Sequence, residues 1–150
     1  MANDTMIDTL NDLIATSKDG EQGFLVASKH AHSVTLRALF ADFSADCRRA
    51  AAELQDCVAA LGGTATTSGT TAGALHRGWM NLRTSVTSAD DLALLQECER
   101  GEDHAKACYA AAMNTKIAPA VRTLLERQYQ GALRHHDRIR DLRNREKASA

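Results

Sequence analysis

"GGTATTSGTTAG", residues 62–73, separates two long amphipathic stretches, and its length decides how they can pack. A Gly62-Gly63 pair stops a helix, and the threonines, serine and glycines that follow have no apolar face to bury. The segment therefore reads as the start of a crossover over about 62–88 rather than as a tight turn.

Upstream lie two helical patterns, over about 4–31 and 35–61. At ~100° per residue, Leu10, Ile14, Ser17, Glu21, Phe24 and Ser28 make one stripe of the first. Leu36, Leu39, Phe43, Cys47, Ala50, Leu54 and Leu61 make one stripe of the second. Downstream, "ALHRGWMNLRTSV" (74–86) predicts a short helix inside the crossover, with Trp79 docking it against the rest. Ser88 then offers an N-cap to a third helix over about 89–117. The single proline, Pro119, opens a fourth over about 119–146. Period-two runs of β-branched and aromatic residues are missing, so the fold class is all-α. One 150-residue chain is large enough for a single core, here a four-helix bundle with a long connection between helices 2 and 3.

Bulk properties narrow the function. A net charge of -1 gives no general electrostatic case for nucleic acid or an anionic membrane. The basic excess from Arg134 to Lys147 reads as a solvated helix end. The acidic start, "MANDTMIDTLNDLIA", has no long apolar run, so neither a signal peptide nor a membrane span is expected. The four cysteines have no CxxC spacing and read as small buried thiols of a reducing cytoplasm, with a paired disulfide or a soft-metal site as the alternative. Phe40, Val58 and their neighbours on helix 2 suit a homodimer interface or core packing equally well.

Several polar side chains share the apolar faces. In "ECERGEDHA" (97–105), Glu99 and Glu102 point where Leu92 and Leu95 point, whereas Glu97 and Asp103 face water. On helix 4, Gln128 and His135 lie with Leu124 and Ile139, with His136 at the edge. Asp46 and Glu53 sit at the margin of the stripe on helix 2. In antiparallel hairpins 1–2 and 3–4, facing positions sum to about 67 and about 237. Glu21 is then level with Asp46, Glu102 with His135, and Tyr109 with Gln128. A crossover spanning the bundle makes helix 3 parallel to helix 2. Glu21, Asp46, Glu102 and His135 then share one layer, and Glu53, Tyr109 and Gln128 a second.

Unpaired carboxylates in a core cost several kcal/mol each or take up protons. The first layer suits a divalent metal, iron among the candidates, held through oxygen and nitrogen, and equally a buried salt-bridge network. The second reads as a structural polar layer, because Tyr and Gln can satisfy a carboxylate without chemistry.

The segments "TLNDLIATSKDGEQGF" (9–24), "AAELQDCVAALGG" (51–63), "ALHRGWMNL" (74–82), "ECERGEDHAKACY" (97–109) and "HHDRIRDLR" (135–143) resemble an uncharacterised bacterial family of ferritin-like four-helix-bundle proteins. The resemblance implies a ferritin-like fold and brings no established reaction. Members of the wider superfamily carry a glutamate on each of two helices and Glu-x-x-His on each of the others. Glu21 and Glu102 match the single glutamates. Helix 2 has Glu53-Leu-Gln-Asp56 in place of one motif, and helix 4 has Ala132-Leu-Arg-His135 in place of the other. The departures argue against a normal di-iron centre. Two functions stand open: a non-catalytic stress-related or interaction protein, and a metal-binding oxidoreductase or iron-handling protein with an altered site.

Overall fold

The computed structural model describes residues 2–69 and 91–149. Four helices carry them: α1 (Ala2–His30), α2 (Val34–Ala60), α3 (Asp91–Met113) and α4 (Pro119–Ser149). Ser88, Trp79 and the short crossover helix expected from sequence lie outside the described residues. Among the described residues there is no strand, and no helix is long and apolar enough to cross a membrane.

The helix ends have local causes. Ser33 caps α2, its hydroxyl accepting from the Leu36 amide at 3.3 Å. At the far end Gly62 takes φ 81°, and Gly63 N–H bonds to Val58 O at 3.0 Å, which closes the helix in a left-handed cap. α3 ends at Met113, earlier than its sequence pattern suggests. The Asn114 and Thr115 amides bond three residues back and tighten the last turn before Pro119 reopens a helix.

Topology follows from two contacts. The Asp91 carboxylate, at the start of α3, accepts from the His32 and Ser33 amides at 2.8 and 3.0 Å, so the α1–α2 turn and the N-terminus of α3 share one end. At the opposite end, Asn11 bonds to Thr64 O and to the Thr66 amide just beyond α2. α2 and α3 therefore run parallel. Gly69, already level with Asp19 of α1, lies on the way back.

The core is divided. One apolar cluster gathers Phe24, Phe40, Phe43, Leu95, Cys98 and Ile139 at the α1–α2 turn end. Phe24 stacks on Phe40 at 6.2 Å and meets Phe43 edge-on at 5.5 Å, and burying each such ring contributes roughly 1.5–3 kcal/mol. A second cluster, with Leu10, Leu54, Val58, Tyr109 and Leu125, fills the other end. Phe40 and Val58 are both 0 % exposed, so the apolar stripe offered by sequence for a homodimer is core instead. Between the clusters runs a polar waist, where Thr16, Ser17, Ser44 and Glu102 are buried. α1 packs against α2 and α3, and α3 against α4. α2 and α4 barely touch, and a cavity of about 700 Å³ sits where they part.

Candidate metal centre

His135 stands at the middle of the waist. Its Nε2 is 2.9 Å from Asp46 Oδ2 on α2, and its Nδ1 is 3.8 Å from Glu102 Oε1 on α3. Phe43 stacks on the imidazole at 3.9 Å and Phe24 meets it edge-on at 6.0 Å, fixing the ring between the two acids. Burial pulls the imidazole pKa down, but Glu102 and then Asp46 overcome it, and the net shift is upward.

Glu102 is 4 % exposed, and at 3.8 Å its contact with His135 is too long for a hydrogen bond. Its Oε2 is buried with no hydrogen-bond partner. Few native side chains leave a carboxylate oxygen so, because the desolvation is not repaid. Cys47 lies close by. One donor atom each from Cys47, Glu102 and His135 lie within 4.8 Å of one another. Among the described residues no other set of histidine, cysteine and acidic side chains converges in this way. Burial pushes the Cys47 thiol well above its ordinary pKa, and the charges of Glu102, Asp46 and Glu21 push it further. Without a cation nearby it stays protonated.

Of the four residues that sequence placed in the first layer, the structure thus brings Asp46, Glu102 and His135 together. Glu21 turns aside, its Oε1 3.6 Å from Lys18 Nζ one turn back on α1. Cys47 takes the position facing α1. The sequence contains a signal for it, since in the α1–α2 register Cys47 is level with Gly20. A Cβ on Gly20 would lie only 3.0 Å from the Cys47 sulfur, so the glycine makes room for the thiol.

The second layer is closed. Tyr109 Oη donates to Gln128 Oε1 at 2.8 Å, and Gln128 Nε2 donates to Ala50 O at 3.2 Å and to Glu53 Oε1 at 3.1 Å. Arg127 completes Glu53 at 2.6 Å. Burial raises the Tyr109 phenol well above its usual pKa despite a Ser17 hydrogen bond. The Arg127 hydrogen bond lowers the Glu53 carboxyl against a small desolvation.

Two readings of facing need correction. His136 is buried, not marginal, because α4 packs chiefly against α3 and His136 faces that helix. His135 turns toward α2 while His136, one residue on, turns toward α3, its Nε2 2.8 Å from Asp103 and 3.7 Å from Glu99. Asp103 is exposed yet engaged, and Glu99 also pairs with Arg143. Glu97 bonds Arg100 at 2.7 Å but keeps its Oε2 buried, so it is not simply a solvated acid.

A bundle whose core is split by a polar waist, with histidine, cysteine and acid donors beside a cavity, defines a helical protein with a candidate ligand centre. Residues 5–115 match the family described as a domain of unknown function, DUF2383, and the chain belongs to that family. No curated protein matches the chain.

Proposed function

We propose that this protein is a ferritin-like bundle that binds one divalent transition metal through Cys47, Glu102 and His135. The observation that carries the reading is the convergence of those three donors, on a glutamate that also keeps one buried oxygen without a hydrogen-bond partner. Thiolate, imidazole and carboxylate together favour a borderline ion such as zinc, cobalt or ferrous iron over calcium or magnesium. Three protein ligands would leave a coordination position open, as in catalytic rather than structural sites, and all three donors line the cavity. Asp46 holds His135 through Nε2 and leaves Nδ1 on the Glu102 side. That is how a second carboxylate orients a ligating imidazole. Binding releases the Cys47 proton, because the ligand is the thiolate. With iron at the site, the reaction class supported is iron oxidation or peroxide consumption, and the cavity supplies access.

Titration with Co²⁺ tests this. One equivalent should bind with a thiolate charge-transfer absorption that Cys47→Ser abolishes and His135→Ala strongly weakens. Absence of binding, or an identical spectrum in Cys47→Ser, overturns the reading. A second reading rests on the pairing of His135 with two acids, which raises its pKa as in a buried ion network. On that reading the protein is a non-catalytic bundle acting in stress response or as an interaction partner.

A further inference from the structure

The cavity between α2 and α4 has an unbalanced lining. Three carboxylates face it, from Asp46, Glu53 and Glu102. Each already has a cationic partner in the same wall: Arg49 and His135 for Asp46, Arg127 for Glu53, and His135 for Glu102. Arg134 and Arg138 also line the cavity, and both are exposed at its rim. Neither makes an ion pair or hydrogen bond among the described residues. They stand at i and i+4 on α4, so two like charges are held on one face, an arrangement that disfavours the helix unless an anion joins them. The Arg134 guanidinium lies against Gly131, which also lines the cavity, its Nη2 3.7 Å from where a Cβ on that residue would sit. Deeper in, Leu39, Phe43, Ala50, Ala105 and Ala132 supply an apolar lining.

We propose that this cavity binds a small organic carboxylate, with its head group on Arg134 and Arg138 and its apolar body against Phe43 and Leu39. Guanidinium forks match a carboxylate in geometry as well as charge. A volume of about 700 Å³ suits such a molecule, as ligand cavities commonly span ~300–1,000 Å³. The apolar lining selects an organic acid over an inorganic anion. The site depends on the cavity and its arginines, and not on a metal being bound.

Calorimetric titration of the chelator-treated protein with benzoate and octanoate tests the proposal, with benzyl alcohol and inorganic phosphate as comparators. The carboxylates should bind, and Arg134→Gln/Arg138→Gln should weaken them about tenfold or more. Both side chains are exposed, so the double variant should keep the wild-type circular dichroism and melt no lower than the wild type. Benzyl alcohol and phosphate should each bind at least about tenfold more weakly than benzoate. The proposal is overturned if neither carboxylate binds at millimolar concentration, if the double variant binds them unchanged, or if the alcohol or phosphate binds as well. Because the protein is metal-free throughout, failure of the Co²⁺ titration would not alter the result.

Discussion

The two polar layers of the waist have similar parts and opposite accounts. Around Gln128, every buried polar atom is matched: Tyr109 donates, Ala50 O and Glu53 accept, and Arg127 closes the ring. Around His135, Glu102 keeps a buried oxygen without a partner, and Cys47 keeps a proton that only a cation would displace. A satisfied network rigidifies a core, whereas a half-satisfied one destabilises it. The difference teaches where to look for a ligand, because the layer that is incomplete in the protein alone is the one something else can complete.

The closed layer should respond most strongly to mutation. Gln128→Leu removes the acceptor of the Tyr109 hydroxyl and a donor to Glu53 together, and should cost about 2 kcal/mol in urea denaturation with metal affinity little changed. Tyr109→Phe removes one donor from Gln128 and should cost about 1–2 kcal/mol in the same measurement. In the open layer, Asp46→Asn should leave the fold intact. It should weaken metal binding by roughly 10–100-fold, since Asp46 acts by orienting His135.

The smallest effects are pH dependences of opposite sign in metal-free protein. The folded pKa of His135 is raised, so its contribution is fully present below the ordinary value of about 6.5 and is lost as pH rises through the raised value. The folded pKa of Glu53 is lowered, so its contribution is present above the ordinary value of about 4.5 and is lost as pH falls through the lowered one. The Glu53–Arg127 pair is largely exposed, which limits its share to less than about 1 kcal/mol. Stability profiles of His135→Gln and Glu53→Gln should flatten on the high-pH and low-pH sides respectively.

Much of this contrast was legible in the sequence. Period and helix breakers placed the four amphipathic helices. The hairpin register put Tyr109 level with Gln128 and Glu102 level with His135, because antiparallel neighbours fix depth once a turn is located. Three kinds of information were not legible. Glu21 shares a stripe with Phe24, yet a lysine one turn away draws its carboxylate aside, and stripe position says nothing of where a flexible side chain ends. His136 was misjudged because helical angle alone does not tell that α4 packs chiefly against α3, the side to which His136 turns. Cys47 was not singled out among the four cysteines, since a thiol on an apolar face reads the same whether or not it holds a metal, and only its level with Gly20 sets it apart.

The most direct test of the central claim is one substitution with two readouts, Glu102→Met. It replaces the unmatched buried carboxylate with an apolar side chain of similar volume. If Glu102 is there for a ligand, metal-free stability should rise by about 1 kcal/mol or more while metal affinity collapses. If stability instead falls by several kcal/mol, or the variant binds metal as the wild type does, Glu102 belongs to a structural network and the metal-centre account is contradicted.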